Sequence, residues 1–344
     1  MIVRRLPLAV LLFAGLAAAA APESVQQAFD RYRRQIAMAP KTMVRQFDRM
    51  VIKDLQDKYR DLAGVLTEAD SSVPAASAPA PETLPQSESI EKRGGSLGSL
   101  PTDTDRAKVV LALAGEIRVL PAGTEKIILA DGLCTLAMDG DLGKAPVDAA
   151  VSTLAQSLRE VPVSLGGAYL NLASLVRYEH VTPPPADPAL HAATAILELR
   201  DAMRQEAGFT LTALDGKTYS LGSLRGHVVL LSFWATWCQP CRSEMPDLEK
   251  LYRRLGPKGL IVLAVSDEKR ETVEGSLEVE RIVSKQTYTL PILLDPDRKV
   301  NTTYFVKSIP HSFLFSREGK LVAQSISVQT EGQLLEMFKS AGLE

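Results

Sequence analysis

The spacing of apolar residues changes character about three-fifths of the way along the chain. From about Glu23 to Glu68, residues such as Met43, Val44, Phe47, Met50, Val51, Leu55, Tyr59 and Leu62 fall three and four apart, with Arg, Lys and Asp between them. That spacing predicts an amphipathic helical segment over 22–70, packed on the segment that follows, with Pro40 as the break if it folds as a hairpin. Residues 71–103 are rich in Ala, Pro, Ser, Glu and Gly and carry too little bulky apolar surface for a core, which predicts a flexible linker. Helical spacing then returns over about 109–120, 125–138, 147–158 (behind Pro146), 165–178 and, past Pro183-Pro184-Pro185, 189–206. The expectation is an all-α unit over 104–206 in which no chemical motif stands out.

From Gly208 the pattern becomes strand-like. Two short runs flank Asp215-Gly216 as a β-hairpin would, and Val228 to Phe233 is a continuous apolar run suited to a buried parallel strand. A helix from Cys238 to Leu255, a strand over 260–265, a polar helix over 271–284 and a short strand over 291–294 follow. A short helix over 299–304, two strands (311–315 and 320–325) around Arg317-Glu318-Gly319, and a helix over 331–341 complete the chain. This alternation predicts an α/β unit over 207–344, a mixed sheet with helices on both faces, preceded by the all-α region.

With 344 residues, two or more domains are expected. A formal net charge of −2 gives no pull toward polyanions, and the 6% of aromatic residues are not interleaved with basic ones, so nucleic acid is not an expected partner. At the N-terminus, Arg4 and Arg5 precede an apolar run from Leu6 to about Ala18 and then Ala19, Ala20 and Ala21. This reads as a secretory signal peptide over 1–21, its apolar core shorter than the ~20 residues of a spanning helix. The mature chain is thus expected to be exported, periplasmic if the source is Gram-negative, with an uncleaved membrane anchor as the alternative.

The chain has three cysteines, Cys134, Cys238 and Cys241, too few for a disulfide scaffold. Cys238 and Cys241 form a Cys-x-x-Cys between an apolar strand and a polar helix. At a helix N-terminus, unpaired N–H groups and the macrodipole stabilise a thiolate, so the pair reads as redox chemistry. A structural zinc site needs four ligands, and no second Cys or His pair stands nearby. Cys134, among Ile127, Ile128, Leu129, Leu133, Leu136 and Met138, is expected as a small buried hydrophobe, with an intermolecular disulfide as the alternative.

The run Phe233-Trp234-Ala235-Thr236-Trp237-Cys238-Gln239-Pro240-Cys241-Arg242, with Glu244 and Pro246, resembles the active-site signature of the TlpA/ResA-like thiol–disulfide oxidoreductases of the thioredoxin superfamily. Ser308-Ile309-Pro310 before Phe313-Leu314 resembles their cis-proline loop, and the resemblance covers about Gly208 to Leu343. It implies Cys238 as the exposed nucleophile, Cys241 as the resolving thiol, and Pro310 as a cis-proline that lets Ile309 pair with an extended substrate. It implies Glu244 in proton handling at the thiols, although a Glu early in the helix also favours the dipole. Trp237 is expected to cover the disulfide, Gln239 to tune it, Pro240 to constrain the turn and Pro246 to kink the helix. His311 replaces the family's Thr and is expected either near the thiols or partly exposed in a loop. Ser232 stands where thioredoxin proper has a buried Asp.

The resemblance calls for no cofactor and no metal. It implies exported disulfide-containing protein substrates and a membrane thiol donor. Competing readings are an assembly scaffold, redox-inactive or metal-linked, and a peroxiredoxin-like peroxidase. Sco-like copper proteins space their cysteines by three residues, not two. Peroxiredoxins want Pro and Thr or Ser where this chain has Leu231 and Ala235.

Overall fold

The computed structural model describes residues 23–58, 85–95, 102–138, 142–161, 166–179, 181–185, 187–283 and 287–343, so the expected signal peptide lies outside the described residues. Ser24 starts helix α1 (Val25–Ile36) through a capping box: its hydroxyl accepts the Gln27 N–H while the Gln27 side chain accepts the Ser24 N–H. Pro40 marks the break before α2 (Lys41–Lys58). The two helices bury Ala28, Tyr32, Phe47 and Val51. Their partner is α8 (Pro188–Ala207), the most distant helix of the all-α region. Arg31–Glu198 at 2.9 Å and Arg200–Asp54 at 2.6 Å seal that contact.

Of the expected linker over 71–103, residues 71–84 and 96–101 lie outside the described residues, and the described part contains α3 (Pro85–Gly95). Ile90, only 3% exposed, inserts into the helical core, and Arg93 pairs with Glu116 across the way. One buried anchor and one ion pair outweigh a composition that is poor in core-forming residues. Helices α4 (Asp103–Arg118), α5 (Thr124–Met138), α6 (Lys144–Glu160) and α7 (Gly166–Tyr178) complete the module. One contiguous core joins residues from α1 to α8, so the first two helices belong to the same packing unit as the rest. Cys134 on α5 is 1% exposed within it, and burial pushes its thiol pKa up.

The C-terminal part is a mixed sheet of β1 (Thr210–Ala213), β2 (Thr218–Ser220), β3 (Val228–Phe233), β4 (Leu260–Ser266), β5 (Ile292–Leu294), β6 (His311–Phe315) and β7 (Leu321–Ser325), in the order β2-β1-β5-β4-β3-β6-β7. Strands β3, β4 and β5 run parallel, and β1, β2, β6 and β7 add antiparallel neighbours on either side. Central β3 is buried along its whole length, as its unbroken apolar run requires. Alternation along it splits the core. Val228, Leu230 and Trp234 pack with α9 (Gln239–Leu255), Val273 of α10 (Arg270–Val283) and α12 (Glu331–Ser340). Val229, Leu231 and Phe233 pack on the other face, with Val300 of α11 (Lys299–Thr303), Tyr304 and Phe313.

The helical module closes one end of this sheet. Gln205 accepts the Leu321 N–H of edge strand β7 at 3.4 Å, and Glu179 accepts the Ile326 N–H just past it at 3.3 Å. Among the described residues no helix is long and apolar enough to cross a membrane.

Candidate active site

Strand β3 ends at Phe233, and the Trp234 N–H still reaches the Val265 carbonyl at 2.9 Å. Residues 235–238 then turn over the end of the sheet into α9. Cys238 is the N-cap of that helix and Pro240 sits in its first turn, where the missing N–H costs nothing. The Cys241 N–H donates to Cys238 Sγ at 3.2 Å, so an otherwise unpaired helix-end donor points at the first sulfur. The two cysteines are joined as a disulfide, with their Cα atoms 5.3 Å apart. Pro246 lies inside the helix.

Opposite the pair, the Ile309–Pro310 peptide bond is cis. The Ile309 carbonyl oxygen lies 3.8 Å from Cys238 Sγ. The sequence expected Cys238 as the exposed thiol, but it is 4% exposed against 1% for Cys241. Both are nearly covered, and Ile309 packs against the core cluster that holds them. Trp237, expected to cover the disulfide, is 72% exposed. Its neighbour Thr236 is half-buried and the capping Cys238 buried. Gln239 and Pro240 are exposed beside it.

Thr236 is held by Glu268, just past the end of β4. One of its oxygens accepts the Thr236 N–H at 2.6 Å and the other accepts the Thr236 hydroxyl at 2.7 Å, while the Ser266 hydroxyl donates at 3.2 Å. Sequence reading missed this residue. The available signal was its place at the carboxyl end of the strand beside β3, where open α/β sheets gather their functional groups. Replacing Glu268 by Ala leaves the Thr236 N–H unpaired, and should cost about 1–3 kcal/mol of stability. Glu268→Gln, which keeps an acceptor and gains a donor, should recover most of that loss in urea unfolding.

Glu244, one turn beyond Cys241, is 3% exposed and lies past the first turn of α9, so a capping role at the dipole does not describe it. Its oxygen accepts the Gln329 N–H at 2.7 Å. Burial raises its pKa to about 7, with Asp247 adding to the rise and the Gln329 bond opposing it. Ser232 is buried on β3 opposite Ser312 of β6, with no carboxyl in that place.

His311 falls in neither expected setting. It lies on β6 paired with Phe233, buried, and stacked on Phe313 at 4.5 Å between centroids. Strand alternation turns it to the face of Phe233 and Phe313, opposite the face on which α9 packs. Burial, helped by the nearby Arg204 cation, depresses its pKa to about 3, so it stays neutral.

A disulfide at a helix N-terminus with a carbonyl facing its first sulfur is the arrangement of a thiol–disulfide exchange site. The ResA thiol–disulfide oxidoreductase of Bacillus anthracis is 36% identical over 131 residues, spanning 38% of this chain and 73% of that protein. The chain belongs to the ResA family. Bacillus subtilis ResA is 32% identical over 126 residues, covering 37% of this chain and 68% of its own. The thioredoxin-like protein YneN of Bacillus subtilis is 39% identical over 127 residues, covering 37% and 71%. The model of the AhpC/TSA family matches residues 203–324. Among solved structures, StoA of Bacillus subtilis aligns at 27% identity with a TM-score of 0.33, over 38% of this chain and 96% of its own. Like the other ResA proteins, this chain carries thiol–disulfide oxidoreductase activity in its C-terminal domain.

Proposed function

We propose that the chain is an exported reductase of protein disulfides, with Cys238 as nucleophile and Cys241 as resolving thiol. The observation that carries the reading is the setting of Cys238 Sγ, between the N–H of Cys241 and the Ile309 carbonyl. In the reduced protein the Cys238 thiolate attacks one sulfur of a client disulfide. The other client sulfur leaves as a thiolate and takes up a proton. Cys241 then loses its proton and attacks Cys238 Sγ, releasing the second client thiol and closing the intramolecular disulfide. Two electrons pass to the client, and a membrane thiol donor returns them. Glu244, three residues beyond Cys241 on the same helix, would hold the proton that Cys241 gives up, since its pKa of about 7 lets it change state near neutrality. An extended client segment would pair with the backbone at Ile309, beside Pro310 and under the exposed Trp237.

Export rests on the basic and apolar pattern of the first 21 residues. The direction of electron flow is tested by redox titration of the Cys238/Cys241 pair in defined thiol buffers. A midpoint near or below about −230 mV is expected, in the range of thioredoxin and glutaredoxins. A midpoint above about −180 mV would mark an oxidant or isomerase and overturn the reductase assignment.

A further inference from the structure

The ResA relatives account for the C-terminal domain and leave the helical module without a task. Its last helix, α8, ends against the face of the sheet opposite α9. Arg204, near that end, is 3% exposed. Its Nη1 donates to Asp201 one turn earlier at 2.6 Å, and Asp201 also accepts from Arg177 Nε at 2.9 Å and from the Tyr178 hydroxyl at 2.8 Å. The buried cation is therefore paired and braced within the module.

The rest of the guanidinium reaches out of the module. Arg204 Nε donates to the Tyr304 carbonyl at 2.9 Å. The guanidinium lies 5.2 Å from the centroid of the Phe305 ring and 5.0 Å from that of Phe313. Arg200, one turn back, lies 5.3 Å from the Phe305 centroid. Phe305 has a φ of 56°, a conformation that a bulky residue keeps only when its surroundings impose it. Those surroundings come from the module, because Phe305 packs against the helical core.

Tyr304 and Phe305 open the short segment that leads to Ile309 and Pro310, and Phe313 lies on β6 just beyond it. One side chain of the helical module thus touches both ends of the loop whose Ile309 carbonyl faces Cys238. We propose that Arg204 is a positioning residue, through which the module sets the loop that receives extended polypeptide clients. The proposal rests on the oxidoreductase reading above. A small disulfide needs only the Cys238 sulfur, whereas a peptide must also align with the Ile309 backbone, so the two kinds of substrate should respond differently.

The test uses the full chain, reduced, in single turnovers with two probes: dithiobis-nitrobenzoate and an unstructured peptide of about ten residues closed by one disulfide. Arg204→Met should slow reduction of the peptide about tenfold while leaving the rate with the small disulfide within about twofold. Should that variant not fold, Arg204→Lys carries the test, since it keeps the charge but lacks the planar fork that spans Asp201 and Tyr304. An unchanged peptide rate overturns the proposal. So does an equal loss with both probes, which is the mark of a merely structural role. A wild-type protein that reduces neither probe overturns the oxidoreductase reading itself, and is told apart because no variant is involved.

Discussion

Cys238→Ser is expected to abolish thiol–disulfide exchange, with a loss of about three orders of magnitude or more in the rate of disulfide reduction. A hydroxyl at this position cannot ionise near neutral pH, so neither the helix N-terminus nor the Cys241 N–H has a thiolate to stabilise. Cys241→Ser is expected to fail differently. The first attack still proceeds, but nothing resolves the product, and the protein should accumulate as a mixed disulfide with its client. Non-reducing mass spectrometry of the two variants mixed with a disulfide peptide separates these outcomes. A stable adduct on Cys238→Ser, or none on Cys241→Ser, would reverse the assigned order. A scaffold would keep its binding function through both changes.

Glu244→Gln should produce the second largest effect, visible in both stability and rate. In the fold the pKa of this carboxyl is about 7, raised above its ordinary value of 4.5. The fold therefore favours the protonated acid. That stabilisation is fully present below about pH 4.5 and is lost as pH rises through about 7. Glutamine keeps an oxygen for the Gln329 N–H and never ionises. The variant should match the wild type near pH 4 and exceed it by about 2–3 kcal/mol at pH 8, as read from urea unfolding at the two pH values. If Glu244 holds the proton of Cys241, the resolving step should also lose its inflection near pH 7. A stability difference independent of pH would count against a buried, titrating Glu244.

The sheet was readable because each strand announced itself over a few residues: the apolar run at Val228 to Phe233, the Asp215-Gly216 turn, the alternation around Arg317-Glu318-Gly319. Cys238 and Cys241 were readable as a pair at a helix start for the same local reason. Contacts between distant residues left no such trace. Nothing near Ile90 predicted that a helix would form in a stretch rich in Ala, Pro and Ser, because its anchor is a core assembled from other helices. Nor could spacing place Glu268 on Thr236 or Arg204 on Tyr304, pairs that meet only when the sheet and module assemble. A strand over 311–315 was legible, but its spacing could not show that the imidazole of His311 turns into the core beside Phe233 and Phe313.

The closed edge at β7 also bears on solubility. An open strand at the side of a sheet offers its N–H groups to any chain that can extend beside it, and natural proteins commonly blunt such strands. Here Gln205 and Glu179 occupy that position from within the same polypeptide. A redox domain cut free of its helical module would uncover β7 and acquire a side prone to sticking to copies of itself. The module thus covers a strand edge that the redox domain alone would leave open.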